Sequence, residues 1–121
     1  MSRRSFFTAF AATAFIFVLS GRAQAIVIYG DGMPSCESWS DAAVDSPARR
    51  GQVAWLLGFV SAYDWYSPNG EDIKYTDPKS MVEWADRYCA AHPQDLIARA
   101  AGKLIDELRR RRGLKPLMET Q

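Results

Sequence analysis

The hydrophobic and polar positions of this chain fall into two regimes. Phe6 to Leu19 is an apolar block interrupted only by small residues and two threonines; beyond it, apolar residues recur every three or four positions. That second period predicts four helices. Ser35 can cap a short first helix reaching about Val44, with Cys36 and Trp39 on one face. Ser46-Pro47, a capping hydroxyl and then a proline suited to the first helical position, starts a second that runs to about Tyr66. Asp77-Pro78 repeats the signal for a third, with Met81, Trp84, Tyr88 and Cys89 on its inner face and an end near Ala91. Pro93 opens the fourth, which places Asp95 in a first turn where the helix dipole favours an acid. Ile97, Ala101, Leu104 and Leu108 make the inner face of that helix, widened by Leu96 and Ile105.

The second helix is apolar on nearly all sides. Val53, Leu56, Leu57, Val60 and Tyr63 form one stripe, and Trp55, Phe59, Ala62 and Tyr66 another. Such a helix is expected at the buried centre of a bundle. Gly58 costs about 1 kcal/mol against alanine, so close approach of a neighbouring helix at Gly58 and Ser61 is the expected reason for it. Before the helices, Ile26 to Tyr29 reads as an extended arm ended by a turn at Gly30-Asp31-Gly32. Ser67 to Thr76 reads as an acidic loop. Arg109 to Arg112 fall in the last turn, Gly113 can end it, and residues 113–121 read as a loose tail.

The apolar block changes the picture of where the protein works. Arg3 and Arg4 precede it, and Ala23-Gln24-Ala25 after it has the form of a signal-peptidase site. Its 14 residues are fewer than the ~20 needed to span a bilayer. Residues 1–25 are thus expected to be a cleaved signal peptide, ordinary secretory or twin-arginine in type. Residues 26–121 are then one helical domain, with a core over about 35–112 and no integral membrane segment. A bacterial periplasm is the expected address, with the extracellular space as the alternative. Outside the reducing cytosol the two cysteines, Cys36 and Cys89, are expected to pair. The loop so closed, about 54 residues, is worth roughly 4 kcal/mol on a chain-entropy argument. The expected fold is all-α, four helices tied by one disulfide.

Charge and chemistry narrow the function by exclusion. The signal removes three arginines and no acids, leaving 12 basic against 14 acidic residues, net −2. That balance offers no general attraction to nucleic acid. His92, three residues after Cys89, could make a thiol–imidazole pair, but a cystine beside a surface histidine is the expected reading. No Gly-x-Ser-x-Gly elbow, phosphate loop or set of zinc ligands is present, and Asp64, Glu71 and Asp72 lack the spacing of a calcium loop. No catalytic residue, metal or cofactor is expected. The most suggestive cluster is Tyr63, Asp64, Trp65, Tyr66, Glu71, Asp72 and Tyr75, aromatic rings beside an acidic loop, the usual makings of a protein-binding surface. Closure of one end of the bundle is the structural alternative for the same residues.

Cys36-Glu37-Ser38-Trp39 resembles the start of the HdeA-type periplasmic acid-stress chaperones, and Cys89 likewise ends a helix before a last amphipathic helix rich in basic residues. Leu57-Gly58-Phe59-Val60-Ser61-Ala62-Tyr63-Asp64, with the segment from Tyr88 to Leu108, resembles the Rap/Tai-type immunity proteins that protect cells from amidase toxins of type VI secretion. Both resemblances imply a periplasmic helical module acting by binding protein. The immunity likeness implies an inhibitor whose partner is a toxin-like enzyme. The chaperone likeness implies unfolded clients and acid that loosens a homodimer or the fold itself. A structural role in the envelope is the further alternative.

Overall fold

The computed structural model describes residues 27–68, 73 and 76–118. The expected signal peptide, residues 1–25, lies outside the described residues. A 3-10 turn at Gly30–Gly32 precedes four helices: α1 Cys36–Asp41, α2 Pro47–Tyr66, α3 Pro78–Ala91 and α4 Ile97–Arg111. No strand occurs among the described residues, and none of their helices is long and apolar enough to cross a membrane.

Local chemistry sets three of the four starts. The N–H of Ser38 donates to Ser35 Oγ at 3.5 Å, that of Arg49 to Ser46 Oγ at 3.1 Å, and that of Ser80 to Asp77 Oδ1 at 3.0 Å. Pro47 and Pro78 occupy first-turn positions where a missing N–H costs nothing. Two boundaries differ from expectation. α1 stops at Asp41 rather than about Val44, because Ala42 is extended and a turn from Ala43 to Ser46 prepares the cap of α2. α4 starts at Ile97 rather than Pro93. The backbone of residues 93–96 is committed elsewhere: Cys36 N–H donates to Asp95 O at 2.7 Å, Glu37 N–H to Pro93 O at 2.9 Å, and Ile97 N–H to Pro34 O at 3.0 Å. These carbonyls satisfy the orphan donors of α1's first turn, so the segment cannot itself be helical. Asp95 is therefore not in the first turn of α4.

Cys36 and Cys89 form the expected disulfide, joining α1 to α3 with their Cα atoms 4.7 Å apart, and both are buried. Around it pack Trp39, Leu56, Val60, Met81, Ala85 and the inner face of α4. The centre of the core is α4, with Ile97, Ala100, Ala101, Leu104, Ile105 and Leu108 buried. α2 is not the buried centre that its composition suggests: its only buried apolar residues are Leu56 and Val60. Gly58 and Ser61 are exposed, and among the described residues nothing lies within 4 Å of where a Gly58 Cβ would stand, so the expected close approach of a neighbouring helix is not seen there.

One polar cluster sits beside the cystine. Arg49 is buried; it donates to Trp39 O at 2.8 Å, pairs with Asp86, and lies 4.0 Å from the Trp39 ring centroid. Trp39 Nε1 donates to the same Asp86 Oδ1 at 2.8 Å. This ties α1, α2 and α3 together through charge-assisted hydrogen bonds.

Two stability measurements follow. Replacing Cys36 and Cys89 by serine is expected to cost about 2–5 kcal/mol in denaturant unfolding. Gly58→Ala, with open space at the Cβ, is expected to raise stability by about 0.5–1 kcal/mol in dilute protein. A destabilised alanine variant would mean the site is crowded after all.

Candidate functional site

A groove of about 750 Å³ lies between α2 and α4. Phe59, Ala62, Tyr63 and Tyr66 of α2 form one wall; Ala98, Gly102 and Ile105 of α4 form the other. Ile28, Leu96, Leu117 and Met118 add to its apolar lining, and Gln94, Asp95 and Arg99 are its charged and amide residues.

The sequence builds this groove through close backbone approaches. On the α2 side, Trp55 Nε1 donates to Tyr29 O at 2.7 Å, and the Trp55 ring stacks on Phe59 at 5.2 Å. A Cβ on Gly32 would stand 2.2 Å from the Trp55 ring, so only glycine lets the arm lie there. On the α4 side, Gly113 at φ +73° turns the chain, with its N–H donating to Arg110 O and that of Leu114 to Arg109 O. The following residues lie back along the helix. Arg109 donates to Lys115 O at 2.8 Å and to Tyr63 OH at 2.6 Å, and the Leu117 N–H donates to buried Asp106 at 2.6 Å. Met118 then sits over Gly102, where a Cβ would be 2.6 Å from its sulfur. Leu117 and Met118, within the tail expected to be loose, thus line the groove, and residues 119–121 lie outside the described residues. The available signals were an acid at 106 on an otherwise apolar face, Gly102 one turn before it, and Leu117-Met118 in a polar tail.

Of the residues singled out by sequence, the structure brings Tyr63 and Tyr66 together in the groove, while Asp64 and Trp65 are not among its lining. Trp65 is 83 % exposed on another side of α2. Glu71, Asp72 and Tyr75 lie outside the described residues. The arginine run is divided: Arg109 holds the tail, and Arg110 and Arg111 bind Glu107 at 2.5 and 2.8 Å. His92 is exposed, its ring 4.4 Å from that of Tyr88. Cys89, bonded to Cys36, has no thiol to offer it. Among the described residues no group of three His, Cys, Asp or Glu side chains is placed to hold a metal.

Comparison with known protein families, with curated proteins and with solved structures found no match.

Two ionisable groups, one on α3 and one on α4, have displaced titration. Burial, then the hydrogen bond to Asp95 at 2.6 Å, pushes the Tyr88 phenol up from 10.0 to about 12. The folded state holds that proton longer than the unfolded chain, so the contribution is complete below pH 10 and fades as pH rises through about 12. The Arg111 and Arg110 hydrogen bonds hold Glu107 below its ordinary 4.5, so its contribution is present above that value and fades as pH falls through the lowered one. Tyr88→Phe should therefore flatten the alkaline limb of stability against pH, and Glu107→Gln the acid limb. An unchanged limb in either variant would show that the contact does not couple to folding.

Proposed function

We propose that this protein is a periplasmic protein-binding module of the inhibitor kind, without catalytic activity of its own. The groove between α2 and α4 is its contact surface, and the observation that carries the reading is the composition of that groove. Its lining is mostly aromatic and aliphatic, with Gln94, Asp95 and Arg99 as its charged and amide residues, and Tyr66 is 83 % exposed. Partly exposed tyrosines beside an apolar cleft are the residues on which protein–protein affinity concentrates. The fitting occupant is an apolar or aromatic side chain carried on an exposed segment of another protein. Tyr63 and Tyr66 supply flat surface at little entropic cost, and Tyr63 is already held by Arg109. An inhibitor of this kind works by seizing and covering that segment of its target, a steric effect needing no chemistry from this chain. The buried Cys36–Cys89 bond supports an oxidising compartment.

The test is capture from envelope extract with the protein and with Tyr66→Ala in parallel. The expected result is one saturable partner, bound at neutral pH, whose affinity falls about 30-fold or more in the variant, a loss of about 2 kcal/mol. Equal capture by both proteins would remove the groove from the interaction. Suppression of client aggregation at about pH 2–3 without any neutral partner would replace the inhibitor reading by the acid-chaperone one. Saturable uptake of a small apolar ligand alone would make the groove a ligand pocket, for which its volume also suits.

A further inference from the structure

Gly102, Asp106 and Arg109 are spaced four and three residues apart, so they share one stripe of α4. Residues 114–118 run back along that stripe as a strap, and each position meets them differently. Arg109 Nε donates to Lys115 O at 2.8 Å. Buried Asp106 accepts the Leu117 N–H at 2.6 Å, and the Met118 N stands 3.4 Å from both of its oxygens. Gly102 leaves a notch for Met118, whose sulfur is 2.6 Å from where a Cβ would stand. Its φ is not positive, so the room for Met118, rather than the backbone, is what asks for glycine there. Pro116 has no N–H to offer and holds Lys115 to extended backbone, which leaves Leu117 as the next donor.

We propose that this stripe of α4 is a receptor for an extended apolar segment, which residues 114–118 occupy in the free protein and a partner's segment occupies in the complex. The chain's own strap shows what fits. Arg109 and Asp106 read only backbone, a carbonyl and an amide, so a different chain can make the same contacts. The notch asks for a slim, flexible side chain of methionine's kind. Exchange leaves the fold intact, because the buried core cluster ends at Leu108. Leu117 is 43 % exposed, so little apolar area holds the strap down. A bare seat deprives the Asp106 carboxylate of its amide donors, which favours replacement over simple departure. A tethered strap competes at an effective concentration in the millimolar range. A partner displaces it by also filling the groove against Tyr63 and Tyr66, so the proposal rests on the groove being the contact surface.

The probe is a synthetic peptide of residues 113–121. It is titrated against the disulfide-intact protein and against Leu117→Ser/Met118→Ser, whose own strap is weakened. The double variant should bind it about tenfold or more tighter than the parent. Adding Gly102→Leu, which fills the notch and favours helix, should remove that binding with the thermal midpoint held. In isotope-labelled parent protein the Leu117 amide should exchange slowly, and faster once unlabelled peptide is in large excess. The proposal is overturned by a double variant that takes up no peptide, by binding that survives Gly102→Leu, or by a Leu117 amide indifferent to the peptide. It is equally overturned if a partner captured from envelope extract on the double variant is not displaced by the peptide. Capture of no partner at all, or capture unaffected by Tyr66→Ala, counts against the groove reading instead, and the stripe is then judged by the peptide alone.

Discussion

The start of α1 is where the rest of the molecule is fastened. A helix of six residues has too few internal hydrogen bonds to persist alone. Here its first residue is bonded through sulfur to α3, and its first two N–H groups are given to the carbonyls of Asp95 and Pro93. The returning Ile97 N–H donates to Pro34 O. A covalent bond and three backbone hydrogen bonds thus converge on four consecutive residues, Pro34 to Glu37. They fix the end of α3, the extended segment after it and the start of α4. The groove residues Gln94, Asp95 and Leu96 hang directly from that junction.

Much of this was legible because its causes are local. A serine or aspartate before a proline states a helix start in two adjacent letters, and Ser46 and Asp77 do so without help from distant residues. Gly113 likewise ends α4 where a left-handed residue was required. The misplaced start of α4 has the opposite character. Pro93 is as good a local signal as Pro47, but the backbone it would have made helical is claimed by α1, some sixty positions away. A one-dimensional pattern holds no record of that competition. The tail was hidden for a related reason, since Asp106 reads as one more polar residue until the Leu117 amide is seen upon it.

Trp39 shows how burial and polarity can be confused at this scale. Its position on an apolar face correctly placed it in the core, where it is 1 % exposed. What the pattern could not show is that its ring and carbonyl receive Arg49, while its indole N–H shares Asp86 with that arginine. A buried guanidinium without partners would be severely destabilising. With a carboxylate, a carbonyl and an aromatic face it becomes a link between three helices. Arginine two positions into a helix is indistinguishable in sequence from a solvated one.

The hardest case is α2, and it is the one that bears on function. Gly51 to Tyr63 is 13 residues without a charge, yet the core takes only Leu56 and Val60 from them as fully buried apolar side chains. Counting apolar residues measures how much surface a helix wants covered; it does not say by what. In a chain this small, α4 already fills the centre, so Val53, Trp55, Leu57 and Tyr63 of α2 pack against the core only in part, while Phe59, Trp65 and Tyr66 stay exposed. Contiguous apolar surface of that kind is rare on a protein that works alone, because water penalises it and it invites association. The second helix thus keeps more apolar surface than its own core covers. One side of it forms a groove with α4, and the opposite side carries exposed Ala54, Gly58, Ser61 and Trp65.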